Sequence, residues 1–272
     1  MTAESRERFT EVVRSEPVDL AMACLLLGAE VAADLEPEPY LYRLDRLAQS
    51  ASPQVAAASS AAEQAAALAT TLGDRAGFGG SGADYLDLRS SLLHSVLDRR
   101  RGLPILLSVV WLEVAHRLGV PAYGVGLPGH FVVAIGTPTG ESALVDPFAG
   151  GRLLPPTAAA EIVRSAGLDH TAEQLAPWSP VEILLRILNN VRQLAATAEH
   201  FRTRLWAVEL TLLLPRHPLQ VLREHGELLV GLGDLVRGAA ELTAYAEAVG
   251  PVDPVAADRA LQEARLARAR LN

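Results

Sequence analysis

The chain has 272 residues, enough for one large domain or two modest ones. Half of them are hydrophobic, which supplies a buried core and excludes a disordered chain. The net charge is −8, and no basic face exists that could neutralise a phosphate backbone, so no nucleic-acid partner is expected. A lone cysteine, Cys24, rules out an internal disulfide and a Cys-rich metal site. It lies in the apolar run Leu20–Leu27 and reads as a small buried hydrophobe. The polar start Met1–Glu7 lacks the pattern of a signal peptide, and no apolar run is long enough to span a bilayer. A cytoplasmic location with no membrane association follows as an expectation.

In chain order, residues 5–73 read as helices. Apolar residues recur at three- and four-residue spacing through Leu20–Leu27, Tyr40–Leu47 and the Ala-rich Val55–Leu72. Pro37, Pro39 and Pro53 read as breaks between these helices. Gly77-Phe78-Gly79-Gly80-Ser81-Gly82 satisfies a GxGxxG pattern, but a helix precedes it where a dinucleotide site needs a strand. It reads as a flexible turn. Ser90–Arg101 predicts a helix whose Arg99-Arg100-Arg101 end is solvated, with Gly102 as its stop. Pro104 suits the first turn of the next helix, Ile105–Leu118, which is apolar nearly all round and therefore buried on several sides. His94 and His116 are placed on core-facing helix positions.

The period then changes to that of strands: Ala122–Leu127, His130–Ile135 and Ser142–Asp146, with Gly150-Gly151 ending the sheet. From Thr157 onward the pattern is helical again, near Ala158–Ala166, Val181–Ala198, Phe201–Leu213, Leu219–Gly231, Leu235–Ala248 and Ala256–Leu271. Glu199-His200-Phe201 and Gly233-Asp234-Leu235 stand 34 residues apart, the period of tetratricopeptide helix pairs.

One pair of residues suggests chemistry. In a hairpin centred on Pro138, His130 and Asp146 are equidistant from the centre and face each other across the strands. A carboxylate there accepts a hydrogen bond from the imidazole, fixes its tautomer and raises its basicity. That supplies two of the three parts of a nucleophile–base–orienter set. Gly129 directly before His130 suggests close approach of another segment to the ring. The remaining histidines, His170 among them, lack HxxxH or HExxH spacing, so neither a metal nor a cofactor is expected.

The order of these motifs resembles a known core. Val96-Leu97-Asp98-Arg99-Arg100-Arg101-Gly102-Leu103-Pro104-Ile105, then Ser108, Gly126-Leu127-Pro128-Gly129-His130-Phe131, Asp146-Pro147-Phe148 and Gly150-Gly151 are similar to the transglutaminase-like core, and more closely to its SirB-type bacterial subfamily. Phe78-Gly79-Gly80 and Tyr85 fit the same pattern, and Leu184–Asn190 fits the start of tetratricopeptide-like companion helices. The subfamily has Asn-Ser where this chain has Ser90-Ser91. The resemblance implies an α+β fold that is mostly helical. A small antiparallel sheet packs on a central helix, and a helical-hairpin extension follows. Three regions are expected: an N-terminal helical region over 1–77, the core over 78–156 and the helical tail over 157–272. The resemblance also implies a cysteine near Pro104 or Ile105, and neither residue is a nucleophile.

The expected function is that of a non-catalytic transglutaminase-like module binding a peptide or protein. Its cleft would hold His130 and Asp146, with Gly129, Phe131, Tyr123 and Phe148 lining it. The alternative is a hydrolase or acyl-transfer enzyme in which the pair activates Ser108 or a water. A third reading makes the pair purely structural and leaves any interaction to the helical tail.

Overall fold

The computed structural model describes residues 3–165, 167, 175–197 and 200–271. Ala166, His170, Ala198 and Glu199, named above, lie outside these. The fold is α+β, with twelve α-helices and a four-stranded sheet among the described residues. It divides into two compact units, Met1–Ile187 and Leu188–Asn272.

The first unit opens with α1 (Ala3–Arg14), α2 (Leu20–Gly28), α3 (Pro37–Ala57) and α4 (Ala61–Leu68). Pro53 does not break its helix as expected: it lies inside α3, while Pro37 occupies the first turn, where its missing N–H is not needed. The break falls instead at Ser60, within the Ala-rich stretch. Ser60 accepts from the Glu63 N–H, and the Glu63 carboxylate accepts from the Ser59 N–H. Ser60-Ala61-Ala62-Glu63 is a capping-box spacing, and this local signal outweighs the continuous alanine pattern. A π-helical turn, Ala69–Arg75, carries α4 onward.

The segment expected to be one helix over Ser90–Arg101 begins as a 3₁₀ turn, Leu88–Ser91, and only then becomes α5 (Leu93–Arg99). Arg100, in the left-handed region at φ 59°, ends α5 in place of Gly102. Arg99 and Arg101 both reach the buried Asp84 carboxylate, at 3.7 and 3.0 Å, and Arg99 also pairs with Asp87. The triple-arginine run is therefore partly tied down rather than simply solvated.

Helix α6 (Pro104–Arg117) is buried from Pro104 through Ala115, as its all-round apolar surface predicts. It packs on strands β1 (Ala122–Leu127) and β2 (His130–Gly136). His116 is exposed rather than core-facing, and its Nε2 lies 3.1 Å from the Ala122 carbonyl. His94 is half-buried, pressed against Gly28. The sheet continues antiparallel through β3 (Ser142–Asp146) and does not stop at Gly151. A fourth strand, β4 (Arg152–Leu154), pairs with β3 in the order β1-β2-β3-β4. One face carries Val125, Leu127, Val132, Ala134 and Leu154, packed with Ala159 and Val163 of α7 (Pro156–Ser165).

Helix α8 (Pro180–Thr197) contains the boundary between the units. The second unit holds α9 (Phe201–Leu213), α10 (Gln220–Gly231), α11 (Leu235–Val249) and α12 (Pro254–Ala269), each packed on the next. The 34-residue offset falls on the starts of α9 and α11, whose N-cap residues are His200 and Asp234. Within this unit Glu224 sits between Arg192 and Arg204, which hold its carboxyl below the usual range against the opposing effect of burial. No helix among the described residues is long and apolar enough to cross a membrane.

Candidate functional site

Leu127 and His130 close a two-residue turn, Pro128-Gly129, between β1 and β2. Gly129 has φ +66°, a conformation that L side chains resist, and a Cβ there would meet nothing within 4 Å. The glycine before the histidine thus serves the turn and not a close approach, correcting that expectation.

The β2–β3 hairpin pairs Gly136 with Ser142 and Val133 with Val145, so it is centred on Thr139 rather than Pro138. Moving the centre by one residue shifts the register by two. A two-residue shift preserves which face each side chain occupies, whereas a one-residue shift would reverse it. His130 and Asp146 are consequently diagonal neighbours rather than directly opposed, and they still meet: His130 Nε2 lies 3.0 Å from Asp146 Oδ2.

Asp146 is fixed from behind. Its Oδ1 accepts from the N–H groups of Phe148 (3.0 Å) and Ala149 (3.2 Å) as the chain turns through Pro147–Ala149. Burial works to raise the Asp146 carboxyl. The bond and charge of His130 and the two backbone N–H groups outweigh it, and the group stays below the ordinary carboxylate range. An ionised Asp146 accepts from Nε2–H and so selects the tautomer with a lone pair on Nδ1. No protein group among the described residues bonds that Nδ1. An imidazole so held can accept a proton or a hydrogen bond at Nδ1.

Around the pair, the Phe148 ring stands edge-on to His130 at 6.2 Å and to Tyr85 at 5.7 Å. Phe148 also lines an open groove of about 470 Å³ with Gly79, Gly80, Ser81, Arg101 and Gly150. Gly80 is required here: a Cβ would sit 2.0 Å from the Phe148 ring. The glycine-rich segment is not the loose turn expected from its composition. Gly77, Gly79 and Gly80 donate their N–H groups to the carbonyls of Gly73, Arg100 and Phe148, and Ser81 donates to Asp84. With those amides committed, the loop has none of them left to cradle a phosphate.

The other residues singled out from the sequence fall at different depths. Ser108 is fully buried, and its Oγ donates to the Phe131 carbonyl at 3.5 Å, across to β2 rather than back along its own helix. No hydrogen bond joins it to His130 among the described residues. Tyr123 packs with the sheet face that meets α7. Phe131 is buried, edge-on to Trp178 at 5.5 Å. Pro104 and Ile105 open α6 and are buried. Cys24 is 1 % exposed on α2; burial first, then the Glu113 and Asp19 charges, push its thiol well up. Among the described residues no cluster of three potential metal ligands occurs.

Arg186 and Trp178 were not recognised from sequence as site residues. Arg186 Nη2 donates to the His130 carbonyl at 3.3 Å, and the guanidinium lies over Trp178 and Phe131 at 5.5 and 6.0 Å from their ring centres. The available signal was a single charge amid the apolar Leu184-Leu185-Arg186-Ile187-Leu188.

The pattern of the Transglutaminase-like superfamily matches residues 38–189, which include every element of this site. The chain belongs to that superfamily. It is 32% identical over 241 residues to a UPF0162 protein of Xylella fastidiosa strain 9a5c, covering 86% of this chain and 85% of that protein. It is 34% identical over 197 residues to a UPF0162 protein of Pseudomonas aeruginosa, covering 72% of each. A shorter similarity, 40% over 67 residues, covers 25% of this chain and 11% of F-box only protein 21 of Mus musculus. No solved structure matches the chain. The matched residues hold the His130–Asp146 pair, and the chain's one cysteine, Cys24 on α2, precedes them in sequence.

Proposed function

We propose that this transglutaminase-like chain is a non-catalytic binding module whose His130 cleft receives a peptide segment. The observation that carries this reading is the groove itself. It adjoins the His130–Asp146 pair through Phe148, it is lined by glycines, Ser81, Ala149, Arg101 and Phe148, and the exposed Tyr85 ring stands against Phe148. An extended segment fits such a surface, with Tyr85 and Phe148 as apolar contacts and the Nδ1 of His130 as an acceptor for a peptide N–H. The absence of catalysis is argued from chemistry. Pro104 and Ile105 stand where the resemblance puts a nucleophile, the Cys24 thiol is buried, and Ser108 is spent on a carbonyl. We extend this to a SirB-type regulatory role, with the α9–α12 hairpins as a tetratricopeptide-like surface.

A random dodecapeptide library displayed on phage tests the reading. Enriched peptides are expected to bind His130→Ala at least tenfold more weakly, while circular dichroism shows an unchanged fold. Peptides that bind the variant as well as the parent, or a library that yields none, would remove His130 from any binding cleft.

A second reading is supported by the free Nδ1 of an oriented imidazole. That atom is placed to deprotonate a water, and the Ile105 and Leu106 amides in the first turn of α6, which has no side-chain cap at Leu103, are candidate oxyanion donors.

A further inference from the structure

Arg186 is half-buried, and burial lowers its affinity for a proton. A desolvated guanidinium normally has a carboxylate beside it, because leaving the charge unpaired costs free energy. Arg186 has none among the described residues. Its protein bond is one donation to the His130 carbonyl, and its plane rests on the Trp178 and Phe131 rings. These contacts hold the side chain in place without neutralising it. Its other N–H groups have no protein acceptor among the described residues, and none of them is sealed from solvent. The carboxylate of the neighbourhood, Asp146, is committed to His130 and to two backbone N–H groups. Burial raises the Tyr85 hydroxyl's pKa, and the Arg186 and Asp146 charges act on it in opposite directions. A positioned fork of donors, partly dried and tied to the His130 backbone, matches the two oxygens of a carboxylate.

We propose that Arg186, held on Trp178 and Phe131 beside His130, is the carboxylate-binding subsite of the cleft, and that the peptide received there bears a carboxylate, from its C-terminus or from an acidic side chain. This rests on the peptide-cleft reading above and names the charge that its ligand carries. The chain's net charge of −8 does not attract such a ligand at long range, so the recognition is local and bidentate.

The test uses the full-length chain and three probes at fixed ionic strength. N-acetylglycine offers a terminal carboxylate, N-acetylglutamate N-methylamide a side-chain carboxylate, and N-acetylglycinamide no charge. The His130 Cε1–H and Arg186 Nε–H resonances are followed by NMR. At least one carboxylate probe is expected to shift both resonances saturably, and the neutral amide to shift neither. Which carboxylate binds identifies its source. Arg186→Gln is expected to weaken that binding by about tenfold or more. Arg186→Lys keeps the charge but loses the fork, and should fall between them. Thermal melts check that both variants fold. Equal shifts from the neutral amide, or carboxylate binding undiminished in Arg186→Gln, would overturn the subsite while leaving the peptide cleft standing. Silence from all three probes, with library peptides still dependent on His130, would do the same.

Discussion

Asp146→Ala is expected to destabilise the first unit by about 3 kcal/mol, read by urea denaturation. The carboxylate accepts from two backbone N–H groups and from His130 while almost wholly buried. Removing it takes the partner from the N–H groups of the half-buried Phe148 and the exposed Ala149, and hydrogen bonds to a charged group are worth about 1.5–3 kcal/mol. Asp146→Asn keeps the Oδ1 acceptor for those donors and loses the charge, so it should cost less. The pH dependence separates the two effects. The folded carboxyl titrates below its unfolded value of about 3.9, so its ionised form favours the folded state. That stability is fully present above the unfolded value and is lost as the pH falls through it toward the folded one. Between pH 5 and pH 3 the parent is expected to lose stability more steeply than Asp146→Asn. Parallel curves for the two proteins would show that the Asp146 charge does not stabilise the fold.

Gly73→Ala is expected to cost about 3 kcal/mol or more, because it strikes backbone. A Cβ at Gly73 would stand 1.8 Å from the Gly150 carbonyl oxygen and 2.7 Å from its carbon. No side chain can rotate away to make room. Gly150 is itself in the left-handed region, at φ +68°, and follows the turn that caps Asp146. Relief therefore requires displacement of the loop behind the His130–Asp146 pair, at or beyond the top of the usual 1–3 kcal/mol for overpacking. Gly77→Ala is the control. Gly77 has φ +75° and open space around its Cβ position, so only the conformational cost of about 1–2 kcal/mol applies. Similar losses in the two variants, compared by urea denaturation, would show that the Gly73–Gly150 contact is relieved without cost.

The sequence made the fold readable where one local signal dominated. The all-round apolar Ile105–Leu118 could only be a buried helix, and the alternation from Ala122 to Asp146 could only be strands. It was less readable where two signals competed. The alanines of Val55–Leu72 suggested one helix, but the Ser60–Glu63 cap divides it. Pro53 suggested a break but lies exposed inside α3, and β4 is too short to show a period. The His130–Asp146 contact was anticipated through a wrong register, and the error was harmless because it was an even number of residues. Arg186 could not be placed at all. Its position depends on α8 returning to β2 across 56 residues, and nothing local encodes a contact of that separation.

A transglutaminase-like cleft that only binds turns no substrate over. The most direct test incubates the purified chain and its His130→Ala variant with a panel of amide, ester and glutamine-donor substrates, and follows product by mass spectrometry. No turnover above the variant's is expected from any substrate. Turnover by the parent that disappears in His130→Ala would contradict the claim and make His130 a working general base.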